Sequence, residues 1–344
     1  MINVSRRTFL KTSFAGAGLV AAGGLVAACG SDSSSGSSGN KLTYQLSWTP
    51  SVQFGGTFMA LDAGKFSDLG LDVTLAAGGP NVAGDANTVS GAALVNISSA
   101  DGVARSNAEG ADLVIIGAQY QKSPGTILSL AEAPLENPQS LMGKKIGVAG
   151  ADTPALDAFL TINNMTKSDV EFVPTQYDPA VLTAKQVDGL FCFYNDLPVA
   201  LETAGVPGYS MLLADFGYNP MSQTYTVLRS SLEDDAKRKQ VTDLFRADAQ
   251  GWQMYKADPA AAADLTMQMY PDAGLDLETQ KRQAVIQLDI MYSPQTDANG
   301  FGFFSEEEVA TNLEMFKILG IEGQSETLWD HSILDEVYAS GPTA

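Results

Sequence analysis

The sequence predicts an α/β protein: two lobes joined by crossing strands as a clamshell, each a mainly parallel sheet flanked by helices, with a helical C-terminal segment. Three observations carry this. Strand-like and helix-like stretches alternate from residue 41 to 120, and the alternation resumes from 124 to 205. A strand-like return at 225–232 then leads into a long helical pattern. Strands alternating with helices call for mainly parallel sheets covered on both faces. About 300 residues follow the low-complexity N-terminal part, more than one core usually holds.

The elements follow in order. "KLTYQLSW" (41–48) alternates apolar and polar residues as a strand and ends in Trp48. "FGGTFMALDAGKFSDLG" reads as a helix, with Phe58, Leu61 and Phe66 on one stripe and Gly70 as its stop. "LDVTLAAGG" is a strand running into a glycine loop, "NVAGDANTVSGAA" a short helix and "LVNIS" a strand. "SADGVARSNAEG" is a helix capped by Ser98 or Ser99, and "DLVIIGAQY" a buried strand. In the second lobe, strands "PGTILSLAE", "KKIGVAG", "VEFVPT" and "VDGLFCFY" alternate with helices "TPALDAFLTINN", "DPAVLTAKQ" and "NDLPVALETAG". Thr153 is the N-cap of the first of these helices, with Pro154 at its first position. After the return strand, helices are expected through 233–270, over 277–291 and in "SEEEVATNLEMFKILG". They complete the first lobe and brace the hinge. The expected divisions are 42–122 plus 228–344 for lobe I and 123–227 for lobe II.

The N-terminus reads as an address. No charge lies between Lys11 and Cys29, and this uncharged run is rich in Ala and Gly. It is short for a spanning helix, which needs about 20 strongly apolar residues. A basic start, an apolar run and small residues before a cut site make residues 1–28 a secretory signal. Arg6-Arg7 in "SRRTFLK" resembles the twin-arginine export motif, and "VAAC" resembles a bacterial lipobox, which would make Cys29 the lipidated first residue. The Ser/Gly tract after it belongs to a flexible tether, residues 29–41 with the cysteine. The expected location is extracytoplasmic, lipid-anchored to the outer face of the cell membrane, with no other membrane contact.

Composition bounds the chemistry. Net charge is −20, and removing residues 1–28 takes away Arg6, Arg7 and Lys11 but no acid, giving about −23. Such a surface does not hold nucleic-acid phosphates or an anionic membrane. With Cys29 on lipid, Cys192 has no disulfide partner and reads as a small buried hydrophobe. His331 is the only histidine, which argues against histidine-rich metal sites and Ser-His-Asp catalysis. No phosphate-cradling glycine motif occurs. The expectation is a monomer that is not an enzyme, with no catalytic residues, metal or cofactor.

"LSWTPSVQFGGTFMALDAGKFSDLGLDVTLAAGGPNV" resembles the opening of ABC-importer solute-binding proteins of the type II periplasmic fold. "IIGAQYQKSPGTILSL", "NPQSLMGKKIGVAG" and "FYNDLPVALETAGV" resemble further segments of that family, so the likeness covers roughly residues 42–230. The resemblance is closest to the branch that binds thiamine-pyrimidine precursors. Riboflavin binders are nearby; aliphatic sulfonate, taurine and nitrate binders lie further off. It implies a small-molecule ligand held between the lobes, with an ABC permease and its ATPase as partners. Pyrimidine synthases sharing the fold carry a cysteine-rich, histidine-bearing motif that has no counterpart here.

The candidate ligand residues sit where strands end and helices begin. Trp48 offers a ring for stacking on a flat heterocycle. Phe54 either lines the same wall or packs in the core. Gly78-Gly79-Pro80, with Gly79 as the candidate contact, permits close backbone approach or simply makes a turn. Ser98 and Ser99 in the first lobe, and Asp152 and Thr153 in the second, sit at helix N-termini, as ligand contacts or as caps. Tyr194 is a candidate to stack opposite Trp48, Asn195 to donate and accept, and Asp196 to accept from a ring amino group. Similar residues occur at this point in the pyrimidine binders, although the spacing of the acid differs. "NDLP" also resembles the riboflavin branch. An oxyanion ligand would call for Lys122 or Arg105 in the cleft.

Overall fold

Leu42 and Tyr44 of the first strand and Leu46 just past its end alternate and are all buried, as a strand with a face on a core requires. The computed structural model describes residues 40–149 and 154–344. The expected signal, Cys29, most of the tether, Asp152 and Thr153 lie outside the described residues.

The first sheet has the order β2-β1-β3-β10-β4. Here β1 (Asn40–Gln45) runs parallel to β2 (Leu71–Ala76) and β3 (Val95–Ser99). β10 (Ser222–Leu228) is antiparallel to both β3 and β4 (Leu113–Tyr120). Helices α1 (Gly55–Asp62), α2 (Lys65–Asp68), α3 (Gly84–Val89) and α4 (Ala100–Ala108) form the crossovers. Gly64, at φ 70, breaks the single helix expected between Trp48 and Gly70 into α1 and α2.

The second sheet has the order β7-β6-β8-β5-β9. It contains β5 (Gly125–Leu130), β6 (Lys145–Ala149), β7 (Glu171–Thr175), β8 (Gly189–Phe193) and β9 (Gly208–Leu212). Helices α5 (Pro154–Ile162), α6 (Ala180–Thr183) and α7 (Leu197–Thr203) join them. β6 is parallel to β7 and β8, whereas β5 is antiparallel to β8 and β9. Each sheet is therefore mainly parallel, as expected, with four strands running one way and one reversed. The antiparallel members, β5 and β10, are the strands through which the chain enters a new sheet from the other lobe. An entering strand is not bound by the crossover rule that makes a βαβ unit parallel.

Two segments cross between the lobes and are tied together. Lys122 Nζ meets Asp215 Oδ1 at 2.8 Å, and the Ser123 N–H donates to Asn219 Oδ1 at 2.9 Å. Lys122 is thus a hinge-surface residue, and neither it nor Arg105 lines the cleft.

The C-terminal part is helical, as expected, with α8 (Arg229–Glu233), α9 (Asp235–Ala257), α10 (Pro259–Met269), α11 (Leu277–Met291), α12 (Pro294–Asn299), α13 (Glu306–Ile318) and α14 (Ser332–Val337). Caps set the starts: Asp234, Asp258 and Asp276 each accept from backbone N–H groups of the first turn. α9 lies on α1 so closely that a Cβ at Gly251 would come within 2.1 Å of the Gly56 carbonyl oxygen. Below it the buried Asp248 accepts from Tyr44, Tyr225 and Trp252, joining β1, β10 and α9; burial pushes its carboxyl up to about 6.

Candidate functional site

Between the two sheets lies a cavity of about 190 Å³. Ser47, Trp48, Gln53 and Gln223 line it from the first lobe; Ala149, Tyr177, Phe191, Cys192 and Phe193 line it from the second. None of these side chains carries a charge.

Trp48 stands just past β1, braced by the loop after β2. The Gly78 N–H donates to the Trp48 carbonyl at 2.9 Å. A Cβ at Gly78 would fall 2.4 Å from the Leu46 carbonyl oxygen and 2.5 Å from Trp48 N. Within Gly78-Gly79-Pro80, the close approach is made at Gly78. A Cβ at Gly79 meets nothing nearer than 3.8 Å, although its φ of 149 still favours glycine.

The aromatic partner of Trp48 is Tyr177, not Tyr194. Their ring centroids are 5.5 Å apart at 60°. Tyr177 follows β7 in the turn before α6, where Asp178 accepts from the Ala180 N–H at 2.8 Å. A ring inserted between two stacking partners needs about 7 Å, two van der Waals contacts. Trp48 and Tyr177 thus form one tilted aromatic wall, against which a ligand ring can pack. Phe191, Cys192 and Phe193 at the end of β8 reach the cavity, whereas Tyr194, one residue past the strand, does not. Tyr194 lines a separate groove with Pro198, Val199 and Ile286.

Asn195 and Asp196 lie behind this wall and do not line the cavity. Asn195 Nδ2 donates to Gln287 Oε1 at 3.0 Å and to Tyr120 Oη at 3.4 Å, while its Oδ1 is buried without a partner. Asp196 Oδ1 accepts from Gln283 Nε2 at 2.7 Å. Burial raises its carboxyl to about 6, against the hydrogen bonds from Tyr177 and Gln283 that favour the charged form. Asp196 therefore holds Tyr177, whose hydroxyl also accepts from the Phe193 N–H at 3.3 Å. Its reach toward the cavity is through Tyr177.

Other expected contacts are occupied with structure. Phe54 is in the core beside Phe58, packed behind Trp48. Ser99 caps α4, accepting from the Gly102 N–H at 3.3 Å and donating to Asp101 Oδ1 at 2.8 Å. Ser98 pairs with Thr224 in the sheet. Burial pushes the Cys192 thiol well up, which suppresses the thiolate that nucleophilic chemistry needs.

Gln53, Tyr177, Phe191, Phe193 and Gln223 were missed in the sequence. Tyr177 was within reach of the strand-end rule used for Tyr194, because β7 also ends at a helix start. Gln53 stands inside the motif that supplied Trp48. Gln223 gave no signal: it occupies a bulge in β10 at φ 54, a backbone state that the residue type does not announce.

α11 bridges the lobes with glutamines on one face. Gln280 accepts from the Val52 N–H at 2.7 Å, Gln283 donates to Asp196, and Gln287 donates to the Gln53 carbonyl at 3.3 Å. Arg282 also pairs with Glu202 of α7 at 2.6 Å.

This architecture and cleft agree with the sequence comparison, in which the family described as NMT1/THI5 like matches residues 51–262. The chain belongs to the NMT1/THI5-like family. Its fold is that of type II periplasmic-binding proteins. Within reach of this family member is the riboflavin-binding protein RibY of Chloroflexus aurantiacus, 25% identical over 284 residues and covering 80% of each chain. A solved protein from Bordetella bronchiseptica RB50 superposes with a TM-score of 0.68 at 18% identity, covering 87% of this chain and 96% of that one. The periplasmic aliphatic sulphonate binding protein SsuA of Escherichia coli gives 0.61 at 13% identity, covering 82% and 87%. These two structural likenesses concern the fold.

Proposed function

We propose that this NMT1/THI5-like chain is the extracytoplasmic solute-binding subunit of an ABC importer. It captures a small flat heterocycle, related to the thiamine pyrimidine precursor, between its lobes and delivers it to a permease with its ATPase. No bond is broken. The observation that carries this reading is the cavity itself: an aromatic wall, uncharged polar groups in the same lining, and lobes that meet across it. Closure is a hinge equilibrium biased by contacts made only when the lobes meet. The proposed lobes are 42–122 with 228–344, and 123–227, and the proposed working state is a monomer.

Two features favour a single ring. The cavity is smaller than the roughly 300–1,000 Å³ typical of sites for drug-sized ligands. Its described lining offers no Arg or Lys for the charge-assisted hydrogen bonds that sulfonate or nitrate recognition uses. Riboflavin is the second reading, supported by the likeness to RibY.

A thermal-shift panel on residues 30–344 tests the proposal, with aminopyrimidines, thiamine, riboflavin, purines, taurine, alkanesulfonates and nitrate. A ligand at 100 times its Kd adds about 2.7 kcal/mol, a rise of several degrees at roughly 2–4 °C per kcal/mol. An aminopyrimidine is expected to give the largest rise. Riboflavin giving it moves the ligand within the family. A rise only with sulfonates or nitrate sinks the heterocycle reading.

A further inference from the structure

The cavity wall holds a donor with nothing to donate to. Gln53 is only 6% exposed, lines the cavity, and its Nε2 has no hydrogen-bond partner. The backbone that carries it is fixed. The Val52 N–H is bonded by Gln280, and the Gln53 carbonyl accepts from Gln287 at 3.3 Å and Gln119 at 3.5 Å. The turn is thus clamped from α11 and β4, which fixes the backbone that places this residue on the cavity wall. Buried donors are nearly always paired in native proteins, so an unpaired one points to a partner that arrives from outside the chain.

A second amide stands on the same side. Gln223 is buried in the β10 bulge with φ 54, a left-handed conformation that costs a non-glycine residue energy. Its Oε1 accepts from Ser47 Oγ at 2.9 Å, which fixes the amide and leaves the NH₂ as the end for another acceptor. A primary amide presents a donor beside an acceptor, the pair that Asn and Gln use to read the ring nitrogen and amino group of adenine.

We propose that Gln53 and Gln223 are the specificity-determining residues of the cleft, reading the edge of a heteroaromatic ring packed on Trp48 and Tyr177, with Gln53 Nε2 donating to a ring nitrogen or carbonyl oxygen. This role replaces the one expected of Asp196, and it rests on the heterocycle reading above. The ligand class is a ring that presents acceptor atoms at this edge; the ring nitrogens of an aminopyrimidine and the carbonyl oxygens of the pyrimidinedione edge of a flavin both qualify.

Gln53→Leu, which keeps the volume and removes the amide, tests this with two readouts. One is thermal unfolding of the ligand-free protein. The other is calorimetric titration of 4-amino-5-hydroxymethyl-2-methylpyrimidine and of riboflavin. An unpaired amide costs the empty protein stability, so the ligand-free variant is expected to melt at the wild-type temperature or a few degrees higher. Affinity for whichever compound binds the wild type is expected to fall about tenfold to a hundredfold. A lower melting temperature for the ligand-free variant overturns the proposal, because the amide is then structural. Undiminished affinity overturns it as well. If neither compound binds the wild type, the ring is discarded along with the heterocycle reading, and the melting comparison alone decides whether Gln53 is an unpaired donor.

Discussion

Trp48 and Tyr177 come from different lobes and meet 5.5 Å apart, so each is placed by its own sheet and they touch only when both sheets are present. Stacking of a flat ring on an aromatic side chain is worth about 1–3 kcal/mol. Trp48→Ala and Tyr177→Ala are each expected to weaken binding of the panel's best compound by roughly tenfold or more. Tyr194→Ala, in its separate groove, is expected to leave affinity unchanged. Isothermal titration of the three variants checks this, and a loss at Tyr194 equal to that at Tyr177 would sink the assignment. At this scale Trp48 was legible because a bulky ring at a strand end stands out from its neighbours. Tyr177 was not, because choosing between two tyrosines at two strand ends requires knowing which faces the other lobe.

Between elements, α7 and α11 meet through Asp196 and Gln283, with the exposed Arg282–Glu202 pair alongside. Burial raises the Asp196 carboxyl to about 6 when the lobes are together. Water admitted by opening would return it toward its ordinary range, near 4. The closed form therefore binds the proton more tightly. Closure is expected to strengthen as pH falls through about 6 toward 4, and to weaken as pH rises through that window. Small-angle scattering of the ligand-free protein between pH 4.5 and 7.5 would show the radius of gyration shrinking on acidification, and Asp196→Asn would flatten the profile. Identical profiles for the two proteins would rule out the coupling. The helical tail was readable in the sequence, but its bridging role was not. Gln280, Gln283 and Gln287 look like a solvated face, and they become a buried ladder only because α7 and the Val52–Phe54 turn supply partners.

For the whole molecule, the anchor that the sequence leads one to expect at Cys29 and the acidic composition belong together. With residues 1–28 removed, a net charge of about −23 would give no electrostatic attraction to an anionic membrane, so the expected lipid on Cys29 would be the only hold. Cys29→Ala is expected to move the protein from the membrane fraction to the soluble extracytoplasmic fraction, followed by fractionation and immunoblotting. Membrane retention of the variant would refute the anchor.

The order of strands and helices was legible because period-two and helical patterns, glycine stops and Asp or Ser caps are local properties of the chain. The five-residue β9, "GYSML", escaped notice, and β10 begins earlier than its apolar run because Ser222, Gln223 and Thr224 are buried polar residues. Their burial is affordable only with strands pairing on both sides, a non-local fact. The same holds for the cleft. Sequence alone determined the alternating α/β architecture and one aromatic of the wall. Tertiary structure decided which tyrosine faces Trp48, which carboxylate stays behind the wall, and which buried amide is left without a partner, because each depends on what the other lobe brings within about 3 Å.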